Sequence, residues 1–262
     1  MKLKSKIVLQ GGVIWFLLST LSFAIEIKSA TDAVDIAGKQ RMFTQRMLKD
    51  YAMVGMNNSF GNPAEDLKQI MSNFEEHMSA LLAYAKSDET KKSIEAIKIL
   101  WKPIEKVLMA TPKKVKVAKL QEDLEVLLKA ADTSTKLFVK DSGKSSGEIV
   151  NISGRQRMLS QRMASLYMLK VWGVKDPQFK TKLEDSIKLF KTSLAELEKS
   201  SLNTKEIREL LIKVKKSFMF FEMMGKSKSK YVPTLIYKKS NDILKDMNTV
   251  TQNYVGLEGK EK

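Results

Sequence analysis

The chain is one unit written twice. Residues 36–47 read IAGKQRMFTQRM and residues 152–163 read ISGRQRMLSQRM, an offset of 116 positions. The same offset pairs Tyr51 with Tyr167, Leu67 with Leu183, Phe74 with Phe190 and Leu81 with Leu197. Towards the far end it pairs Leu128 with Leu244, Thr135 with Thr251 and Val139 with Val255. Solenoid repeats run to about 50 residues, so a period this long marks a duplicated domain-sized unit. The division is 25–140 and 141–256, with a tail at 257–262. The stretch around Trp101 matches Leu211–Met224 poorly and is expected to hold compensating shifts.

Each unit reads as all-helical. Ile70, Phe74, Met78 and Leu81 recur at the spacing of one helix face, and Leu183, Ile187, Phe190, Leu194 and Leu197 do the same in the second copy. Strand signals are missing: there are no sustained alternating runs and no Asn-Gly or Asp-Gly hairpin turns. Breaks at Gly61-Asn62-Pro63, Ser87-Asp88 and Thr111-Pro112 give four helices, roughly 26–60, 64–86, 89–109 and 113–140. Further breaks at Gly173–Pro177, Ser200–Asn203 and Gly225–Pro233 repeat the layout. Ser29 with Asp32 and Ser145 with Glu148 fit helix starts, and Asn203 with Glu206 fits another. The expected fold class is all-α, two tandem four-helix bundles.

Residues 1–24 carry Lys2, Lys4 and Lys6, then an apolar stretch, then Ser22-Phe23-Ala24. That is the layout of a secretory signal cut after Ala24, with an uncleaved membrane anchor as the alternative. The full chain has 46 basic and 30 acidic residues, a net charge of +16. Loss of three lysines and no acid leaves 43 against 30, a net +13 for the mature form. In the periplasm or outside the cell that charge points to small anions or acidic surfaces as partners, and not to nucleic acid. The chain has no cysteine and one histidine, His77, which excludes disulfides, thiolate sites and histidine-cluster metal sites. No nucleophile–base pair or phosphate-binding glycine loop is present. No metal, cofactor or enzymatic activity is expected.

Arginine is concentrated in the repeated strings. Of the arginines, only Arg208 lies outside them; the others are Arg41, Arg46, Arg155, Arg157 and Arg162. Everywhere else the chain uses lysine, so the motif needs the planar donor fork and not merely positive charge. On a helix Gly38, Arg41 and Gln45 share one face, and Lys39, Met42 and Arg46 share the next. Gly154, Arg157 and Gln161, and Arg155, Met158 and Arg162, repeat the arrangement. The glycines are expected to let another backbone approach. Arg46 and Arg162 face each other if the two motif helices pack side by side, and an anion between them removes their repulsion. For Arg41 and Arg157 the structural reading is the stronger one, pairing with carboxylates such as Glu75, Glu76, Asp185 or Glu222. His77 reads as a surface or partly buried helix residue.

The strings AGKQRMFTQRM and NISGRQRMLSQRM resemble the motif of the PilJ-type sensor domain of type IV pili chemotaxis transducers, which is related to nitrate/nitrite-sensing domains. The resemblance implies a periplasmic helical bundle whose first helices meet across a two-fold axis, with an anion between matching arginines. By position it implies that Arg46 and Arg162 contact the anion, that Gly38 and Gly154 are close-approach glycines and that Arg41 and Arg157 are supporting arginines. Gln45 and Gln161 complete the candidate ligand-binding set, although the nitrate sensors differ there. Asn151 matches the leading asparagine of the motif, whereas the first copy has Asp35, an acid unfavourable to an anion. Family members continue through a membrane helix into a signalling module, while this sequence ends at Lys262, which is read as a covalent pseudo-dimer that hands its signal to another protein.

The expected function is therefore a periplasmic sensory protein binding a small oxyanion, nitrate or nitrite first, with a membrane receptor or transporter as partner. The alternative is a non-catalytic adaptor docking on an acidic partner or membrane receptor. A homo-oligomer is left open, and an organic carboxylate or amino acid is a further ligand class.

Overall fold

In the computed structural model, residues 25–143, 145–226 and 232–257 are described. Among them there are eight helices and no strand. They are α1 (Ala30–Gly55), α2 (Pro63–Tyr84), α3 (Asp88–Met109), α4 (Lys114–Ser142), α5 (Ser145–Val171), α6 (Phe179–Glu198), α7 (Lys205–Lys226) and α8 (Pro233–Val255). The expected signal segment lies outside the described residues, as does the side chain of Ser145. No helix among the described residues is long and apolar enough to cross a membrane.

Local chemistry sets the boundaries. The Ser29 hydroxyl accepts from the Asp32 amide, and the Asp32 carboxylate accepts from the Lys28 amide, so two donors at the start of α1 are satisfied. The helix stops at Gly55, five residues short of expectation, because Asn57 turns to positive φ and the Trp172 ring lies over Gly55. A Cβ on Gly55 would lie 2.2 Å from that ring. Asn203 does not start α7. The Thr204 hydroxyl takes the Ile207 amide, and Asn203 instead donates to the Leu197 and Glu198 carbonyls at the end of α6.

The first four helices pack on one another, with α1 between α2 and α4. The last four repeat this around α5. The equivalence reaches single bonds. The Gln40 amide donates to the Phe74 carbonyl at 2.9 Å, and the Gln156 amide to that of Phe190 at 3.0 Å. The Tyr51 hydroxyl accepts the Lys113 amide, and the Tyr167 hydroxyl that of Val232, each pinning the start of a fourth helix. Trp101 packs on Phe74 at 4.7 Å between ring centroids, as Phe218 packs on Phe190 at 4.3 Å. These two partners are one residue out of the 116-residue register, which is the shift the sequence shows around Trp101.

The two units do not sit apart as beads. The most extensive helix–helix contact in the molecule is α1 against α5, and a single apolar core runs through both units. Contacts pair early residues with early and late with late: Asp35 with Arg157, Gln45 with Ser165, Tyr51 with Trp172. The two first helices therefore run parallel at the centre, around a pseudo-two-fold axis. Surrounded by α2, α4, α5 and α8, α1 is buried on nearly every face, polar residues included. His77 is also buried, beside the Phe43 ring, and burial together with Lys39 pushes its pKa down to about 4, so it is neutral.

Candidate functional site

The seam between α1 and α5 is polar at its centre. Arg41 and Arg157, each almost fully buried, cross over the two motif glycines. Each glycine lies against both guanidinium groups: a Cβ on Gly38 would lie 3.4 Å from Arg41 Nη2 and 3.5 Å from Arg157 Nη2. On Gly154 the distances would be 3.0 Å to Arg157 Nη2 and 3.7 Å to Arg41 Nη2. The glycines thus make room for guanidinium groups, not for a neighbouring backbone.

Each seam arginine reaches one residue of its own fourth helix and one of the opposite first helix. Arg41 donates to Asp132 at 2.7 Å and to the Asn151 carbonyl at 3.4 Å. Arg157 donates to Asn248 at 3.1 Å and to the Asp35 carbonyl at 3.4 Å, and lies 2.6 Å from the Asp35 carboxylate. Asp132 and Asn248 are repeat equivalents, as are Asp35 and Asn151. Both arginines therefore have one carboxylate, and both carboxylates belong to the first unit. Burial raises the carboxyl pKa of Asp35, but Arg157 and Lys39 outweigh it and hold the group below its usual range. Asp132 is likewise held down against burial by Lys136 and Arg41. The partners anticipated for these arginines, Glu75, Glu76, Asp185 and Glu222, do not serve. Glu75 instead accepts from the Trp101 indole, and Glu222 pairs with Lys191.

One turn further along, Gln45 and Gln161 form a second polar layer. Lys49, fully buried, donates to Gln161 at 2.8 Å and to Asn241 at 2.7 Å, and its ammonium lies 4.2 Å from the Tyr237 ring centroid. The Ser165 hydroxyl donates to Gln45 at 3.3 Å, and Gln45 donates to Glu125 at 3.3 Å. Beside this layer Asp50 is fully buried, 3.8 Å from the Lys49 ammonium. Burial pushes its pKa up to about 8, against the pull of Lys49, so it is protonated at neutral pH.

Arg46 and Arg162 do not meet. Arg46 turns to α2 and forms a two-point pair with Asp66, at 2.9 and 2.5 Å. Arg162 crosses the seam to Glu125 on α4, at 2.9 Å. The difference follows from the repeat: the equivalent of Glu125 is the neutral Asn241, so Arg46 finds no acid across the seam and takes Asp66, whose own equivalent is Lys182. The expectation of a facing Arg46–Arg162 pair is corrected accordingly. The arginines that meet are Arg41 and Arg157, with Gly38, Gly154, Gln45 and Gln161 along the same seam. Lys49, Asp132, Glu125 and Asn241 escaped the sequence reading. Each stands where one repeat carries a charge and the other does not, a signal visible once the copies are aligned position by position.

With this geometry in place, the comparisons decide the family. A family model described as the type IV pili methyl-accepting chemotaxis transducer N-terminal domain, PilJ, matches residues 26–133 and 138–218. The chain belongs to the PilJ family. The first matched segment covers α1 to α3 and most of α4, and the second runs from the end of α4 through α5 and α6 into α7, consistent with tandem PilJ segments and with a sensory role. No curated protein and no solved structure matches the chain. Among the described residues no group of three or more His, Cys, Asp and Glu side chains is placed to hold a metal ion.

Proposed function

We propose that this protein is a periplasmic sensory module in which the seam between the two PilJ units reads a small oxyanion, nitrate and nitrite being the first candidates. The observation that carries this reading is the chemistry of the seam: the central helices meet on guanidinium groups, amides and an ammonium, where a purely architectural contact would be apolar. Buried ion pairs add little net stability over apolar packing, but their arrangement responds strongly to any further charge placed beside them. An anion that competes with Asp35 or Asp132 for a seam arginine has different affinities for the two arrangements, which is what a ligand needs in order to shift a population. The net positive charge of the mature chain steers anions towards it. A receptor or transporter in the membrane would take the signal onward.

The adaptor reading has its own observation: each seam arginine already holds a carboxylate, so the seam is complete without a ligand. Calorimetric titration of residues 25–262 at low salt separates the two. Saturable heat with nitrate or nitrite and none with chloride supports the sensor. No heat with any of the three, from a folded helical sample, leaves the adaptor.

A further inference from the structure

The repeat places two matched environments on opposite sides of the pseudo-two-fold axis, and the carboxylate that Asp35 supplies to the first has no counterpart at the same position in the second, where Arg41 and Lys136 turn to Asp132 on α4 and Arg155 is left over. On the first side the Asp35 carboxylate lies 2.6 Å from Arg157 Nη2 and 2.8 Å from Lys39 Nζ, and accepts from Gln252 Nε2 at 2.7 Å. A planar oxyanion is thus held by a guanidinium, an ammonium and an amide. On the second side the equivalents of Arg157, Lys39 and Gln252 are Arg41, Arg155 and Lys136, so the cationic side chains are all kept or strengthened. The carboxylate is not kept, because Asp35 is replaced by Asn151.

The consequences are visible around Asn151. Asn151 is only 5% exposed, and its Oδ1 has no hydrogen-bond partner. No carboxylate among the described residues pairs with Arg155. Between α4 and α5 an open cavity of about 590 Å³ is lined by Asn151, Arg155, Lys136, Lys140 and Glu148. Lys136 also touches Asp132 at 2.7 Å and Lys140 touches Glu89 at 3.5 Å, both mostly exposed lysines that can swing to a ligand. Three cations face one carboxylate in this lining.

We propose that this cavity binds a small carboxylate, its carboxyl group held between the Arg155 guanidinium and the Asn151 amide. The two ends of an amide exchange by a half-turn, so Asn151 offers its Nδ2 to the ligand oxygen. Arg155 supplies the two-point grip, and Lys136 the additional charge. Glu148 gives the site an acceptor that an amino group on the ligand would use, which separates amino acids from simple carboxylates. This rests on the reading of the protein as an oxyanion sensor, and adds a second location and a ligand class.

The test is calorimetric titration of residues 25–262 with acetate, succinate, glycine and glutamate, with nitrate in parallel. The key variant is Asn151→Asp, which places the first unit's carboxylate in the second site without removing any cation; Arg155→Gln is its complement. The expected result is saturable binding of at least one carboxylate, at least tenfold weaker in both variants, with Glu148→Gln selectively weakening the amino acids if they are the ligands. Carboxylate binding unchanged in both variants, or absent from the folded wild type, overturns the proposal. If nitrate binds wild type and Asn151→Asp alike while no carboxylate binds, the cavity proposal fails and the sensor reading stands. If neither nitrate nor any carboxylate binds, both fail.

Discussion

At the scale of single residues, the two motif glycines look interchangeable and are not. Glycine inside a helix costs about 1 kcal/mol relative to alanine, so removing it is favourable wherever the methyl group fits. At Gly38 the added carbon would make ordinary contacts of 3.4 and 3.5 Å with the two guanidinium groups. At Gly154 it would lie 3.0 Å from Arg157 Nη2, and that group is fixed by its 2.6 Å pair with Asp35. Gly38→Ala is therefore expected to be neutral or to stabilise by up to about 1 kcal/mol, and Gly154→Ala to destabilise by about 1–3 kcal/mol, as overpacking does. Urea unfolding of both variants checks this, and equal effects would contradict the asymmetry. The sequence reading named both glycines as close-approach positions. It expected a backbone to approach them, whereas guanidinium groups do, because arginine rotamers are chosen by partners 91 residues away.

At the scale of the element, α1 is the unusual piece. A helix surrounded by four others cannot turn its polar residues to water, so Lys49 and Asp50 are both enclosed. The Lys49 ammonium is satisfied by Gln161, Asn241 and the Tyr237 ring, and Asp50 is the member that gives up its charge. Its folded pKa, raised from 3.8 to about 8, means that the folded state holds a proton the unfolded chain has lost. The stability Asp50 contributes is thus fully present below about pH 4 and is lost as pH rises towards 8. Lys49, pulled down by burial to about 8, has its own opposite window above that pH. Between pH 5 and 8 the melting temperature of the wild type should fall relative to that of Asp50→Asn, which has no such proton to lose. Parallel curves for the two proteins would show that Asp50 is ionised in the folded state.

At the scale of the whole molecule, the seam charges balance only when unlike units pair. The seam needs one carboxylate per arginine, and Asp35 and Asp132, which supply both, lie in the first unit. Two copies of the first unit would bring four carboxylates to two arginines. Two copies of the second would bring two buried arginines with Asn151 and Asn248 only. Leaving a buried charge unpaired costs about 3–5 kcal/mol, so only the mixed pair is balanced. Residues 25–143 and 144–262, made as separate chains and mixed, are expected to associate one to one in preference to either self-pair. Native mass spectrometry of the mixture checks this, and a statistical distribution of dimers would show that the charge arrangement does not select.

The sequence by itself determined the helical class, the duplication and the face of each motif helix that carries Gly38, Arg41 and Gln45, because periodicity and repetition are local and survive without coordinates. It also marked the arginines as geometrically special, since lysine fills the remaining basic positions almost alone. Only the tertiary structure decided which arginines meet. Arg46 turns to Asp66 on α2 and Arg162 crosses to Glu125 on α4, while Arg41 and Arg157 meet over the two glycines. The choice turned on acids at Asp35 and Asp132 and on their neutral counterparts at Asn151 and Asn248. A carboxylate's effect depends on distance through space, and positions some 90 and 120 residues from the arginine they hold become neighbours only when eight helices have closed around one seam.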